Sequence, residues 1–319
     1  MMEPIFPKPN YLPSIWGGTR LAALRGVSAQ PGKPIGIARE VCAYPGAENV
    51  VESGTYAGQS LRQLIDEHHE ELMGDDPETQ LIRLAYMDPV EDLSIQVHPG
   101  EVYAVNNEHD REKSESWYIL EAKPGAYVVA GTTTQDVELL RKAAQEDQID
   151  RYVRKVPVRQ GDFVLIPCGM LHACGKDMLA IEVGSFGGIT YRICDYGRGR
   201  PLHLAKSFDV LDPALQPELH HFAPGTRPAS GASVRSAIRH PLFAADIVDI
   251  ADEWQQQKGN TYQVLTAVEG DAVLVADGRQ YPLPYTRTVI LPASLRAFSV
   301  RGNCRILCSW HPVPADGRG

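Results

Sequence analysis

The sequence predicts a mainly β fold, organised as a sandwich or barrel with few helices. Short apolar segments separated by turn residues recur along its 319 residues, which include 28 glycines and 24 prolines. Several segments have the alternation or the β-branched and aromatic content of strands, and these are 93–98, 116–120, 162–166, 178–183 and 190–193. Many short strands at near-regular spacing are typical of all-β sandwiches and barrels.

Two segments predict helices within this β fold. Ser60 and Gln63 form a capping-box pattern, followed by apolar residues at helical spacing, so we expect a helix at about 60–73. The segment 135–147 has a second amphipathic pattern. We expect both helices as additions to the β fold.

The chain divides, on composition, into a larger β-domain at 1–212 and a smaller β-domain at 236–319. The segment 213–235 between them is rich in Pro, Ala, Gly and His, which predicts a linker. The smaller domain carries no pattern of metal ligands of its own.

Charge and hydropathy exclude several classes of function. The formal net charge of −9 argues against nucleic-acid binding, which needs a basic face, but permits a small anionic ligand. No apolar run approaches the roughly 18 residues of a membrane span. Because residues 1–18 also lack a secretory signal pattern, we expect a cytoplasmic protein with no membrane partner.

Four side chains form a candidate metal site. Gln96 and His98 alternate on one predicted strand, so both point to the same face. Glu115 enters an apolar strand, where a charge is costly unless it is paired or bound to metal. His172 follows a Gly-x5-Pro-x-Gly-x2-His spacing beginning at Gly161, which resembles the second motif of the cupin superfamily. Mixed nitrogen and oxygen ligands suit zinc or another divalent ion.

Longer segments carry a more specific resemblance, to the type I phosphomannose isomerases (mannose-6-phosphate isomerases) of the cupin superfamily. Residues 93–99, 113–121, 161–173 and 190–192 resemble that family's catalytic region in the same order. Residues 15–18 look like its opening segment, and 200–203 are similar to the segment after the catalytic region.

The resemblance implies a cupin (jelly-roll) catalytic domain at 1–212 that binds a sugar phosphate and Zn²⁺. The implied reaction converts mannose 6-phosphate into fructose 6-phosphate, an aldose–ketose isomerisation through an enediol. By position, the implied site residues are the metal ligands Gln96, His98, Glu115 and His172, the cations Lys113 and Arg192, and the carboxylate Glu182.

Chemical requirements suggest roles for these residues. Isomerisation needs a base, and Glu182 is the candidate, with His172 second if it is not a ligand. Arg192 would stabilise negative charge beside the reacting carbons, and Lys113 would orient hydroxyls or phosphate. Arg198 is a weaker candidate for a phosphate contact.

Two alternatives remain open at this stage. In place of the family's Trp the chain has Arg39, and the segment 184–189 replaces a polar stretch. A cupin isomerase acting on a different sugar or sugar phosphate is therefore one alternative. A sugar-binding cupin without catalysis is the other. The oligomeric state is not determined by these patterns.

Overall fold

The computed structural model describes residues 2–313, and its architecture is mainly β, as the sequence predicts. The first eleven strands are β1 (Asn10–Gly18), β2 (Ile35–Val41), β3 (Arg83–Met87), β4 (Ile95–Val97), β5 (Glu115–Ala122), β6 (Tyr127–Thr132), β7 (Val153–Pro157), β8 (Asp162–Ile166), β9 (His172–Cys174), β10 (Met178–Gly184) and β11 (Tyr191–Cys194). Those that follow are β12 (Glu218–His221), β13 (Ala232–His240), β14 (Phe243–Ile250), β15 (Glu253–Gln257), β16 (Gln263–Glu269), β17 (Ala272–Ala276), β18 (Arg279–Leu283), β19 (Thr288–Leu291), β20 (Ala297–Arg301) and β21 (Cys304–Trp310).

Both predicted helices are confirmed, and three short ones accompany them. The helices are α1 (Arg20–Arg25), α2 (Leu61–Leu72), α3 (Glu101–Glu108), α4 (Val137–Gln145) and α5 (Leu204–Val210), with a 3-10 turn at Ile149–Arg151. Helix α2 begins with the predicted capping box, in which the Ser60 hydroxyl accepts a hydrogen bond from the backbone N–H of Gln63. Helix α4 is capped by the Asp136 carboxylate. None of the helices described between residues 2 and 313 is long and apolar enough to cross a membrane.

The chain forms two compact units that are each discontinuous in sequence. One, here called the site unit, comprises residues 11–38 and 85–221. The other, here called the terminal unit, comprises the N-terminal residues up to 10, residues 39–84 and the chain from 222 onward. The sequence-based division into 1–212 and 236–319 is contiguous and places residues 39–84, with helix α2, in the larger domain. The structure groups these residues with the terminal unit.

The site unit is built on two β-sheets. Seven strands form one sheet in the order β1-β2-β3-β10-β5-β8-β12, and five form the other in the order β11-β4-β9-β6-β7. Apolar side chains from both sheets share one core, in which Trp117 and Val164 of the first sheet pack with Val128 and Cys174 of the second. The two sheets therefore face each other across a common interior.

The terminal unit contains a second pair of sheets. Their orders are β13-β14-β21-β16-β19 and β15-β20-β17-β18. Ile306 and Leu265 of the first sheet share a buried core with Leu274, Phe298 and Val300 of the second. This arrangement agrees with the smaller β-domain that the sequence predicts.

The segment predicted as a linker, 213–235, is only partly irregular. Residues Glu218–His221 form strand β12, which pairs with β8 at the edge of the seven-stranded sheet. Strand β13 also begins within the segment, at Ala232. The composition of the segment did not reveal β12, whose pairing partner β8 is distant in sequence.

Candidate metal centre

Three buried side chains with metal-binding groups converge between the two sheets of the site unit. His98 follows β4, His172 begins β9, and Glu115 begins β5 of the facing sheet. Their ligand atoms all lie within 4.8 Å of one another. Each side chain is at most 1% exposed. The structure therefore brings together three of the four predicted ligands around one point.

The strand register explains why these residues meet. Arg192 of β11 pairs with Gln96 of β4, and Gln96 pairs in turn with His172 of β9. Directly paired residues point to the same face of a sheet, so these three form one row across the sheet. His98 lies two residues beyond Gln96 and continues along the same face.

A glycine turn delivers His172 to the site. Gly169 has a φ of +82°, a left-handed conformation that glycine adopts without steric cost. Its N–H donates to the carbonyl oxygen of His98 at 2.9 Å. The turn that the sequence motif predicts is therefore hydrogen-bonded to the other candidate ligand, His98.

Both imidazole rings are held from behind by backbone carbonyls. His98 Nδ1 lies 2.8 Å from the oxygen of Ile189, and His172 Nδ1 lies 2.8 Å from the oxygen of Met170. A carbonyl oxygen only accepts, so Nδ1 carries the proton in each neutral ring. The two Nε2 lone pairs consequently face each other, 3.1 Å apart. Such an arrangement is the one found around metal-binding histidines.

The Glu115 carboxylate completes the cluster. Its Oε2 lies 3.4 Å from His98 Nε2 and 3.0 Å from Lys113 Nζ, and its Oε1 lies 3.4 Å from His172 Nε2. The Lys113 contact is an ion pair without hydrogen-bond alignment, so within residues 2–313 Oε2 accepts no hydrogen bond although it is buried. The Lys113 ammonium compensates part of the charge on this buried oxygen, and a bound metal ion would compensate it further.

The electrostatics of the cluster favour a cation. Burial, aided by the Lys113 ammonium, lowers the pKa of His98 to about 3, although Glu115 acts in the opposite direction. Burial also lowers the pKa of His172. For Glu115, burial raises the pKa, but Lys113 and the histidines outweigh it and hold the pKa well below its usual range. Neutral imidazoles and an ionised carboxylate are the states that bind metal.

These residues fit a divalent ion. Two opposed imidazole lone pairs and a carboxylate oxygen without a hydrogen bond would all gain from a cation placed among them. Two nitrogens and one carboxylate oxygen are a donor set that zinc accepts, at ligand distances of about 2.0–2.2 Å. His98, Glu115 and His172 could therefore hold a metal ion.

Gln96 lies beside this cluster with its amide nitrogen toward it. Its Nε2 is 3.2 Å from His172 Nε2, and its Oε1 accepts a hydrogen bond from the Ser94 hydroxyl at 3.3 Å. Rotating the amide by half a turn would exchange its nitrogen and oxygen. The fourth ligand stays a prediction.

Two of the three predicted catalytic residues, Lys113 and Glu182, lie close to Glu115 or on its sheet face. Lys113 contacts Glu115, as described. Glu182 of β10 pairs with Trp117 of β5, two residues from Glu115, so the register puts Glu182 on the same sheet face as Glu115. Burial and then the Glu115 and Glu182 carboxylates raise the pKa of the Cys174 thiol, as expected if Glu182 faces the interior.

Arg192 differs from the neighbouring arginines at its Nε atom. Its buried Nε has no hydrogen-bond partner in the part of the chain that the structure describes. Arg198, by contrast, donates to the carbonyl oxygens of Asp195 and Asp92 and to the Asp195 carboxylate. Arg200 also binds Asp195. Arg198 therefore holds the loop at Asp195 against Asp92. Because its donors are used in these contacts, the structure does not favour Arg198 as a phosphate ligand.

Sequence reasoning missed the groups that hold the site from behind. The carbonyls of Ile189 and Met170 carry no side-chain signal. Ser114 and Ser185, both at most 1% exposed, were not singled out either. Their only signal is position, since Ser114 lies between Lys113 and Glu115.

Comparisons with known proteins agree with the fold. A family model described as the cupin domain of mannose-6-phosphate isomerase matches residues 235–311. The chain is 30% identical to the mannose-6-phosphate isomerase of Streptococcus mutans, over 97% of this chain and 98% of that protein. It is 29% identical to mannose-6-phosphate isomerase ManA of Bacillus subtilis, over 96% of this chain and 98% of that protein.

A solved structure extends the agreement to three dimensions. The crystal structure of the mannose 6-phosphate isomerase from Bacillus subtilis matches with a TM-score of 0.84 and 27% identity, covering 97% of this chain and 99% of that one. The predicted cupin fold is thereby confirmed. The family-model match lies in the smaller β region, whereas the candidate metal centre lies in the site unit.

Proposed function

The chain belongs to the mannose-6-phosphate isomerase family, and we propose that it interconverts mannose 6-phosphate and fructose 6-phosphate through an enediol. The observation that carries this proposal is the buried convergence of His98, Glu115 and His172. Family membership supports the substrate pair, since the relatives described above are named for it.

Zinc is the proposed metal, held by Gln96, His98, Glu115 and His172. A bound divalent ion would polarise the carbonyl and hydroxyl oxygens of the sugar without itself taking a proton. The tautomers imposed by Ile189 and Met170 support this role, because they leave both Nε2 atoms without a proton. A metal ion would occupy the Nε2 lone pair of His172, and burial lowers the pKa of this ring, so His172 is a poor alternative base.

Glu182 is the proposed base. It would take the proton from C2 of the aldose, and the proton returned to C1 would complete the ketose, while the hydroxyl proton moves between the two oxygens. Its position on the same sheet face as Glu115 supports the assignment. One carboxylate would then bind the metal, and the other would transfer the proton.

Two cations complete the proposed site. Arg192 would stabilise negative charge on the enediolate oxygens, and its unpaired Nε supports this role. Lys113, with a side chain 12% exposed, is paired with Glu115 and would orient a substrate hydroxyl or the phosphate from that position.

The segment 184–189 gives little reason to prefer a different sugar. Ser185 is 1% exposed and Phe186 is fully buried, so these replaced residues pack in the protein. They present no polar side chain to a ligand. The departure from the family pattern is therefore compatible with the family's substrate.

A coupled assay over a panel of aldose phosphates, with metal analysis of the same preparation, tests the proposal. We expect about one zinc per chain and the highest kcat/KM on mannose 6-phosphate. A metal-loaded protein that isomerises another sugar phosphate faster would overturn the substrate assignment. One with no isomerase activity on any member would overturn the reaction itself.

A further inference from the structure

Two buried serines, Ser114 and Ser185, join the segment that precedes Glu115 to the segment that follows β10. The backbone N–H of Ser114 donates to the Ser185 hydroxyl at 2.8 Å, and that hydroxyl donates to the carbonyl of Glu112 at 2.8 Å. The backbone N–H of Ser185 donates to the carbonyl of Ser114 at 2.9 Å. Lys113 and Glu115 flank Ser114, so this network fixes the backbone on both sides of Lys113 and on the N-terminal side of Glu115.

The Ser114 hydroxyl extends the network to the turn before His172. It donates to the Glu112 carboxylate at 2.7 Å and accepts a hydrogen bond from the N–H of Cys168 at 2.9 Å. The next residue, Gly169, donates to the carbonyl of His98. One buried hydroxyl therefore links the segment of Glu115 to the turn that precedes His172.

The glycines beside Ser185 allow the two segments to approach this closely. A Cβ at Gly184 would lie 2.9 Å from the carbonyl oxygen of Ser114, and one at Gly187 would lie 2.2 Å from that of Arg111. The same stretch ends at Ile189, whose carbonyl orients the His98 ring. The segment 184–189 thus contacts His98 through the Ile189 carbonyl and the backbone next to Glu115 through Ser185.

We propose that Ser114 and Ser185 are positioning residues that hold Glu115 and the turn before His172 in register for metal binding. The inference rests on the proposed metal-dependent function. Groups that orient metal ligands set metal affinity, and losing one typically costs about 10–100-fold. Without the Ser185 hydroxyl, the buried N–H of Ser114 would lose its partner, so the backbone at Glu115 would shift to find another.

Strands β5 and β10 offer a matched control variant, at Ser116. Ser116 is fully buried, adjoins Glu115 and donates through its hydroxyl to the carbonyl of Val183 at 3.0 Å. It alternates with Glu115 along β5, so it points to the opposite face of the sheet. Ser116→Ala removes a buried serine hydrogen bond between the same two strands and leaves the serine network intact.

The test measures metal affinity rather than activity alone. Zinc affinity of the folded full-length protein is measured by chelator competition for wild type, Ser185→Ala, Ser114→Ala and Ser116→Ala, and the visible spectrum of bound Co²⁺ reports ligand geometry. We expect the first two variants to lose affinity by about 10-fold or more and to change the spectrum. Ser116→Ala should stay within about 3-fold of wild type.

The possible outcomes separate this inference from the proposed function. Wild-type affinity in Ser185→Ala and Ser114→Ala, or an equal loss in Ser116→Ala, would overturn the positioning role and leave the isomerase proposal intact. A wild-type protein that binds no divalent metal would overturn the proposed function, and the inference with it. If Ser185→Ala does not fold, Ser114→Ala decides by the same two readouts.

Discussion

The Nε2 atoms of His98 and His172 lie 3.1 Å apart, and each ring is held at Nδ1 by a backbone carbonyl. Two nitrogen lone pairs at that distance repel unless a positive charge lies between them. Burial disfavours a proton there, since it contributes to lowering the pKa of His98 to about 3. A metal ion would satisfy both rings and would add to the Lys113 ammonium in compensating the buried Glu115 carboxylate.

Removing either histidine ligand should therefore remove both metal and activity. We expect His98→Ala and His172→Ala to contain less than a tenth of the wild-type metal, while Gln96→Ala retains some, because its amide is the weakest ligand. Metal analysis after dialysis, with the isomerase assay, measures both. His220→Ala, which changes an exposed histidine, is the control. Full metal content in either ligand variant would contradict the assignment.

Replacing Arg192 should slow turnover while leaving the metal in place. Arg192→Ala removes a guanidinium whose Nε donates to no hydrogen-bond acceptor among residues 2–313, so charge developing on the substrate loses its counter-charge. We expect kcat to fall by about 10²-fold, the scale observed when a group that stabilises such charge is removed. Steady-state kinetics and metal content measure the effect. An unchanged kcat would exclude this role.

Replacing Arg198 should affect stability rather than substrate binding. Its guanidinium holds Asp195 and the Asp92 carbonyl, so Arg198→Ala should lower the free energy of unfolding by about 1–3 kcal/mol. KM for the sugar phosphate should change by less than about 3-fold. Urea denaturation and kinetics measure both, and Arg279→Ala, at an exposed arginine, is the control. A large rise in KM with unchanged stability would restore Arg198 as a phosphate ligand.

Glu182→Gln tests the proposed base without altering its shape. The amide cannot accept the C2 proton, so turnover should fall by a factor of about 10² or more, the usual scale for general base catalysis. Metal content should stay near that of the wild type. Glu138→Gln, at an exposed helix position, should leave both unchanged. Full activity in Glu182→Gln would exclude Glu182 as the base and require another group in the site to take the proton.

The sequence predicts the parts of the site that depend on local periodicity. Gln96 and His98 alternate on one strand, so strand geometry places them on the same face of the sheet. The spacing before His172 separately indicates a glycine turn. The carbonyls of Ile189 and Met170 have no such signature, because any residue could supply them. The commitment of Arg198 to Asp195 likewise depends on a loop conformation that composition does not specify.

The helices also divide into those with a local sequence signal and those without one. Helices α2 and α4 are capped by the side chains of Ser60 and Asp136, and both could be predicted from those residues. Helices α1, α3 and α5 are six to eight residues long, and none has a side-chain hydrogen bond at its N-cap. Short uncapped helices depend on tertiary packing rather than on local signals, so sequence patterns do not reveal them.

The most direct measurement of the central claim is isomerisation of mannose 6-phosphate in deuterated water by metal-loaded protein, followed by NMR of the product. An enediol route at this centre predicts fructose 6-phosphate with deuterium at C1, lost when a chelator removes the metal and restored by added zinc. Product formed without solvent deuterium, and formed at the wild-type rate by Glu182→Gln as well, would indicate a hydride shift and contradict the mechanism. Turnover that persists in the fully metal-free protein would contradict the role assigned to His98, Glu115 and His172.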